Sequence, residues 1–589
     1  MSATYIQQDR SGLARVVPLL GWLRNYDRAT LRHDLIAGLT VAVMLIPQSM
    51  AYAALAGMPP VTGLYASIVP LLVYALLGTS GSLAVGPVAI TALMTSAALA
   101  PLADGDPARY AALAGLLALL VGAIQLLMGV LRLGVLVNFM SHSVLSGFTS
   151  AAAIVIAASQ IKDLFGLKAG RAETFPEIVE AVWHSATTAH GLTILVSLAS
   201  VAGLVLLRRY VPKLPGALLV VAGVTAVSAA LSFGERGVKI LTDVPGGIPA
   251  PALPALSAQD IQTLLPAAVA IALVAYMEGI AVAKALAAKS RQHVGANQEL
   301  VAVGAANVSA GLFQAFPVAG GFSRSAVNFS AGARTPVATV LTAVMVAVTA
   351  LVLTPAFYHL PKAVLAAIVV VAVLGLVDRR GAVTTWRTRR SDGLTLSLTF
   401  LVTLVFGVEP GLAAGVAFSL GVFLWRSARP HTAELGRVPG TDTYRNVVRY
   451  AGLVTDPRVA INRVDGPLYF ANAQLLEDRL LALAEDRDGL EVIVLDASAI
   501  SDTDADGAHA LAELRERLDA RGVALHLATV RGPVRDLLGR AGVWRPMREA
   551  GRVHSDVSAA LAAAGIEPPD RSRAEPSEHG RPPVPQEVV

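Results

Sequence analysis

The sequence contains no cysteine, which excludes a disulfide framework, a thiol nucleophile and any Cys-ligated metal centre. Charge is also scarce. Lys+Arg number 47 and Asp+Glu 42, together 15% of 589 residues, where a soluble domain carries roughly 25%. The net charge of +5 is small and dispersed, which argues against nucleic acid as a partner. Aromatic residues make up 5%. What fills the chain instead is apolar: 54% hydrophobic residues and a mean hydropathy of +0.60. An ordinary soluble enzyme and a disordered chain are both poor fits to that composition. The charges are also unevenly spread, with 45 of the 89 (47 + 42) in residues 1–430 and 44 in the much shorter 431–589. A membrane domain followed by a soluble one is the reading.

A membrane-spanning helix needs about 20 apolar residues. That ruler predicts spans near 34–54, 61–78, 108–130, 139–161, 191–208, 215–232, 263–289, 297–316, 336–353, 361–377, 391–408 and 410–427. Two further apolar stretches, near 86–100 and 322–333, begin with helix-start chemistry and are too short or too polar to cross fully. The N-terminal segment, 1–33, is polar and carries Arg10, Arg15, Arg24, Arg28 and Arg32, so it is not a signal peptide. Those residues, with Arg208, Arg209, Lys213, Lys289, Arg291, Arg379, Arg380, Arg387, Arg389 and Arg390, fall on one side of the predicted topology. The acidic turn at Asp104–Asp106 and a mixed loop at Lys162–His190 fall on the other. The positive-inside rule then makes both termini cytoplasmic.

Dividing the membrane part after Gly247 leaves about seven segments in each half, so the second half enters the membrane inverted. Each half has a helix with a polar residue at its middle, Gln48 in one and Glu278 in the other. About forty residues later each has a breaker-rich helix start: Gly86-Pro87-Val88-Ala89, and Gly320-Gly321-Phe322-Ser323-Arg324-Ser325. Discontinuous helices in the two halves of a transporter aim their N-termini at a shared midplane site, and such N-termini attract anions. Pro87 suits the first turn of one half-helix. Ser323 is the expected N-cap of the other, with Arg324 adding a full positive charge. Each residue also has a plainer reading. Gly-Pro can be a simple kink, and Arg324 can snorkel to the surface. Gln48 and Tyr52 share a helical face and can be helix–helix glue, as can Asn307 and Asn328. Glu278 is harder to dismiss, because an intramembrane carboxylate is functional by default.

From about Arg437 short strands alternate with amphipathic helices, which implies an α/β domain of about 130 residues. Val459–Arg463 and Leu468–Phe470 are expected to form a hairpin around Val464-Asp465-Gly466-Pro467. Helix Ala473–Ala484, strand Glu491–Asp496, helix Ala508–Ala520, strand Val523–Ala528 and helix Pro533–Ala541 follow. Asp502, Asp504 and Asp506 read as helix N-capping residues in preference to a calcium loop, which would need a bidentate Glu at its twelfth position. No metal or cofactor is expected. The stretch Pro568–Val589 reads as disordered.

The run from Asp34 through Pro47-Gln48-Ser49-Met50-Ala51-Tyr52 to Gly57-Met58-Pro59-Pro60 and Tyr65 closely resembles the SulP (sulfate permease) anion transporters, the relatives of pendrin and prestin. The Gly86-Pro87-Val88-Ala89 and Ser323-Arg324-Ser325 starts match as well, and the resemblance covers roughly residues 15–565. It implies an all-α membrane domain of fourteen segments in a 7+7 inverted repeat, with the core and gate of the uracil-transporter fold, followed by an α/β STAS domain. The implied organisation is a cytoplasmic N-terminal segment at 1–33, a transport domain at 34–430, a cytoplasmic STAS domain at 437–565 and a tail at 566–589. It also implies that Gln48, Tyr52, Pro87, Val88, Ala89, Ser323, Arg324 and Ser325 line the substrate, and that Glu278 stands where some members carry an acidic coupling residue. Sodium-coupled bicarbonate members follow that acid with a hydroxyl one turn later, where Val282 stands here, so the proton is the expected coupling ion. In the anti-sigma antagonists that share the STAS fold, a Ser just before a Gly is phosphorylated. Asp506 stands at that place.

The expectation is therefore a secondary active transporter, not an enzyme, carrying a small inorganic or organic anion by alternating access. Sulfate, a dicarboxylate such as fumarate or succinate, and bicarbonate all suit the residues. A sodium-coupled bicarbonate symporter and an uncoupled exchanger or channel are the alternatives. The expected setting is the lipid bilayer of a bacterial inner membrane, as a homodimer, with a cytoplasmic partner for the STAS domain.

Overall fold

The computed structural model describes residues 17–566, apart from residues 25, 104, 135–140, 169–171, 173, 212–214, 242–245, 255–256, 291 and 293. The expected disordered tail therefore lies outside the described residues from 567 on. So do residues 1–16, with Arg10 and Arg15, and also Asp104, Lys213 and Arg291 of the orientation argument. The chain forms two compact units, Met1–Ser419 and Leu420–Val589.

In the first unit, among the described residues, seven helical segments before Gly247 match the expected first half, beside the short helices Pro18–Leu23, Ile161–Phe165 and Phe175–Ser185. The seven are Arg28–Leu55, the pair Pro60–Tyr65 and Val69–Leu77, Ala89–Leu99, Pro107–Val130, His142–Ser159, Gly191–Tyr210 and Gly216–Ala230. Seven more match the second half, beside the short helix Arg379–Thr388: Ala258–Ser290, Ala296–Leu312, Phe322–Ser330, Val337–Val348, Lys362–Val373, Arg390–Phe406 and Val408–Ala428, the last of which continues past Ser419. Among the described residues, eight helical runs are long and apolar enough to cross a bilayer. Ala89–Leu99 and Phe322–Ser330 are not: at about 1.5 Å per residue they span roughly 16 and 13 Å of a core about 30 Å thick. Both are preceded by a two-residue strand, β1 (Val85–Gly86) and β2 (Ala319–Gly320). These pair antiparallel, Val85 with Gly320 and Gly86 with Ala319. An antiparallel pair sends its chains off in opposite directions, so the two half-helices leave a common point head to head.

The predicted loop at Lys162–His190 is instead partly helical, with Ile161–Phe165 and Phe175–Ser185. Thr174-Phe-Pro-Glu177 starts the second of these as a capping box, Thr174 accepting from Glu177 N while Glu177 accepts from Thr174 N.

The second unit is built on a six-stranded mixed sheet. Its strands are β3 (His431–Arg437), β4 (Tyr444–Asn446), β5 (Val459–Asp465), β6 (Val492–Asp496), β7 (Ala524–Ala528) and β8 (Val553–His554), in the order β4-β3-β5-β6-β7-β8. The β5-β6-β7-β8 portion is parallel, while β3 and β4 add antiparallel strands. In β6 the alternating side chains enter different cores: Ile493 and Leu495 meet the cluster under helices Ala473–Asp486 and Ala505–Asp519, while Val492 and Val494 meet Val557 and Leu561. Burial on both faces explains why this strand reads as an unbroken apolar run.

Two expectations fail here. The hairpin at 459–470 does not form: β5 runs on to Asp465 and pairs with β3 and β6, while Leu468 N donates to Asp502 O and the chain moves to a lone bridge with Thr503. The sheet also starts earlier than residue 437, because β3 occupies 431–437.

Candidate functional site

The helix starts after Gly86 and Gly320 are the places where sequence and backbone agree on something unusual. Gly86 holds φ at +153°, a value side chains rarely adopt. A Cβ on Gly320 would lie 2.7 Å from Gly279 Cα, so glycine is what lets β2 close onto helix Ala258–Ser290 beside Glu278. The half-helix Ala89–Leu99 has Val88 as N-cap, and Phe322–Ser330 has Gly321; neither N-cap side chain makes a capping bond. The first N–H groups of each helix are therefore left without the side-chain acceptor that usually takes one of them.

These positions correct two expectations. Pro87 stands before the N-cap, outside the first turn, and contributes its carbonyl oxygen in place of a ring at N1. Ser323 is not the cap. It lies one residue into the helix with its side chain exposed, because Gly321, whose N–H donates to Ala84 O, takes the cap position. Ser325 makes the cross-connection instead: its hydroxyl donates to Gly321 O at 2.7 Å and accepts from Ala84 N at 2.9 Å. Asn328 Nδ2 adds a bond to Ser82 O at 3.1 Å. The two half-helices are thus tied together by backbone and side chain alike.

Arg324 is 2% exposed and reaches across the junction, donating from Nη1 to Pro87 O at 2.6 Å. Its Nε and Nη2 atoms are buried and have no partner. Oε2 of Glu278 is likewise buried and unpartnered. Among the described residues these are the charged side chains that combine burial with an unmet polar atom, and each such group costs several kcal/mol unless something completes it. Arg324, Glu278 and Tyr52 lie within electrostatic reach of one another, yet Arg324 and Glu278 form no direct ion pair. Nε and Nη2 form the parallel edge of a guanidinium, the edge that Arg463 uses on Asp465, at 2.6 and 3.2 Å. Such an edge matches two oxygens of one oxyanion.

Helices Arg28–Leu55 and Ala258–Ser290 each pack against both half-helices. Tyr52 and Gln48 are buried on the first of them, and Val88 packs with Ala275 and Ala319. The expected lining residues therefore come from four neighbouring elements. Asn307 plays the plainer role, donating to Gln125 Oε1 at 3.0 Å and to Val318 O at 3.0 Å while accepting from Val318 N at 2.7 Å. Two further carboxylates of the first unit are buried, Asp34 and Glu299. Glu299 falls inside the predicted 297–316 span, so the rule that singled out Glu278 applies to it equally.

In the second unit Asp504 is a helix cap, as expected. Its Oδ1 accepts from Gly507 N at 2.8 Å and its Oδ2 from Phe470 N at 3.0 Å.

The sequence matches the model of the sulfate permease family over residues 31–399 and that of the STAS domain over residues 450–560. It is 40% identical over 543 residues to "Sulfate transporter 4.1, chloroplastic" of Arabidopsis thaliana, covering 89% of this chain and 79% of that protein. It is 39% identical over 521 residues to "Probable sulfate transporter Rv1739c" of Mycobacterium tuberculosis, covering 88% and 93%. Among solved structures it resembles the murine Slc26a9 anion transporter in its inward-facing state, with a TM-score of 0.88, 26% identity, and 96% and 97% of the two chains covered.

Proposed function

The chain belongs to the sulfate permease family of multi-pass membrane anion transporters, and on that premise we propose that it is a proton-coupled symporter of a small oxyanion, with sulfate as the first candidate. The observation that carries this reading is the buried Nε/Nη2 edge of Arg324, which no protein group accepts from, at the junction of two half-helices. Two oxygens of sulfate, a dicarboxylate or bicarbonate would fill such an edge with parallel bonds. The names of the plant and mycobacterial relatives favour sulfate among these.

Charge balance supplies the coupling. Each half-helix start presents roughly +0.5 of a charge and Arg324 presents +1, about +2 in all. A dianion such as sulfate or fumarate is balanced only when Glu278 is protonated and neutral. With Glu278 ionised the site holds about +1, which suits a monoanion. In this scheme a dianion and a proton enter together. Gln48, Tyr52, Val88, Ala89, Ser323 and Ser325 line the anion, with Pro87 holding Arg324 in place. The tied pair of half-helices carries ion and proton across as the core moves against the gate. Val282, buried where a hydroxyl would serve a sodium ion, supports the proton over sodium. The setting that fits best is a homodimer in a bacterial inner membrane, termini cytoplasmic, the STAS domain available to a cytoplasmic partner.

The test is uptake of labelled sulfate, fumarate and bicarbonate into proteoliposomes with imposed proton or sodium gradients. Acid outside should drive dianion uptake and Glu278→Gln should abolish that drive. Uptake indifferent to the proton gradient, with Glu278→Gln equally active, would overturn the coupling.

A further inference from the structure

Asp34 and Glu299 are buried carboxylates that the transport scheme does not use, at 0% and 1% exposure. Each grips the connector of a half-helix that belongs to the other half of the chain. Glu299, near the start of helix Ala296–Leu312, accepts from Thr79 N at 2.7 Å and Thr79 Oγ1 at 2.6 Å through Oε1, and from Tyr74 OH at 2.9 Å through Oε2. Thr79 opens the connector that runs through Ser82 and Ala84 into β1 and the Ala89–Leu99 half-helix. Asp34, early in helix Arg28–Leu55, accepts from Arg334 N at 2.8 Å and Thr335 N at 3.2 Å through Oδ1. Its Oδ2 accepts from Thr335 Oγ1 at 2.5 Å and Tyr26 OH at 3.1 Å. Arg334 and Thr335 lie on the connector that leaves the Phe322–Ser330 half-helix.

The two grips abut. A Cβ on Gly81 would lie 3.0 Å from Arg334 O, so the connector entering one half-helix rests on the connector leaving the other. Thr79 Oγ1 extends the first grip by accepting from Gly295 N at 3.1 Å. From Glu299 through 79–82 and 334–335 to Asp34 the contacts make one belt. The connector that Glu299 holds also carries the bonds that tie the half-helices together, at Ser82 O, Ala84 N and Ala84 O.

Every one of these bonds is accepted by a carboxylate oxygen, so an amide, whose NH2 end accepts nothing, would give up one oxygen's share of its connector. We propose that Asp34 and Glu299 are positioning residues of the anion site. By clasping the connectors reciprocally, they fix how closely the two half-helix starts face each other and so set the affinity for the anion. This rests on the anion site proposed above.

The absence of native cysteine permits a test with two readouts. Spin labels on Ala98→Cys and Ser330→Cys, at the far ends of the half-helices, report their separation in the full-length protein. Initial rates of labelled sulfate uptake, against concentration, report KM and maximal rate separately. Asp34→Asn, Glu299→Gln, Thr79→Val and Thr335→Val should each broaden or shift the distance distribution. They should raise KM tenfold or more while the maximal rate per folded protein changes less than threefold. Thr79→Ser and Thr335→Ser keep the donor and should restore both readouts toward the parent. An unchanged distance distribution, or a loss of maximal rate at constant KM, would overturn the proposal. If the parent transports none of sulfate, fumarate or bicarbonate, the transport reading fails while the distance measurement still decides whether the carboxylates hold the half-helices.

Discussion

Arg324 donates from Nη1 to the carbonyl oxygen of Pro87 at 2.6 Å, joining residues 237 positions apart at the meeting point of the two half-helices. The bond does two things. It anchors a buried guanidinium whose charge would otherwise lack a fixed orientation, and it leaves the opposite edge, Nε and Nη2, open within the protein. A backbone carbonyl thus fixes the geometry of the group expected to read the substrate.

Replacing Arg324 by Lys keeps the charge and removes the fork. Loss of one charge-assisted bond costs about 2 kcal/mol, so Arg324→Lys should raise KM for sulfate on the order of 30-fold. Arg324→Gln, which also removes the charge, should reduce uptake to near background. Concentration-dependent initial rates in proteoliposomes check both. Equal KM in Arg324→Lys and the parent would show that the fork is not used.

Gly320 and Gly279 meet backbone to backbone, and the contact is asymmetric. A Cβ on Gly320 would stand 2.7 Å from Gly279 Cα and 3.0 Å from Leu83 Cδ1, whereas one on Gly279 would find its nearest neighbour, Gly320 N, at an ordinary 3.6 Å. Backbone cannot move aside as a flexible side chain can, so Gly320→Ala should lower stability by about 1–3 kcal/mol and disturb transport by pushing β2 away from Glu278. Gly279→Ala should be much milder. Thermal unfolding of the purified protein, read beside sulfate uptake, distinguishes the two.

The parts of the fold legible in the sequence are those fixed by local pattern. Span-length apolar runs placed the long helices, and Gly86-Pro87 with Gly320-Gly321 marked both half-helix starts. The exact cap was not legible, because Gly321 wins that role over Ser323 through a bond to Ala84, a residue 237 positions away. The same holds for Asp34 and Glu299, whose partners at Thr335 and Thr79 come from opposite halves of the chain. The Phe175–Ser185 helix carried a readable signal, Thr174-Phe-Pro-Glu177, that a mixed composition masked. In the second unit the false hairpin arose from a local turn signal at Asp465-Gly466-Pro467, overridden by non-local pairing of β5 with β3 and β6. Strand β3 escaped notice because polar residues interrupt its apolar positions, and β4 and β8 are only 3 and 2 residues long.

Asp504 and Asp506 lie two residues apart with different structural loads. Asp504 caps helix Ala505–Asp519 and also accepts from Phe470 N, so Asp504→Ala should destabilise the STAS unit by about 1–2 kcal/mol. Asp506 is exposed in the first turn of that helix, and Asp506→Ser should stay within about 0.5 kcal/mol. Hydrogen exchange of amides in the Ala505–Asp519 helix of the full-length protein measures the difference. Comparable effects from both substitutions would contradict the assigned capping role.

His526 on β7 and His554 on β8 stack at a 5.1 Å centroid separation, with Nδ1 of the first 2.9 Å from Nε2 of the second. Burial, reinforced by His554 and by the positive charge of Arg552, pushes His526 down to about 4. Burial also lowers His554, opposed by nearby Asp556. An unfolded histidine takes up its proton near pH 6.5, while folded His526 refuses one until about pH 4. The stability it contributes is therefore complete above pH 6.5 and is lost progressively as pH falls from 6.5 to 4. The loss approaches 3 kcal/mol at the acid end and about 2 kcal/mol at pH 5. Amides of β7 and β8 should accordingly exchange at least tenfold faster at pH 5 than at pH 7 once intrinsic rates are corrected. His526→Gln cannot titrate, so it should remove most of that difference even if it lowers stability at both pH values. A parent protein whose β7 and β8 protection is the same at the two pH values would mean that protonation of this pair does not act on the sheet edge.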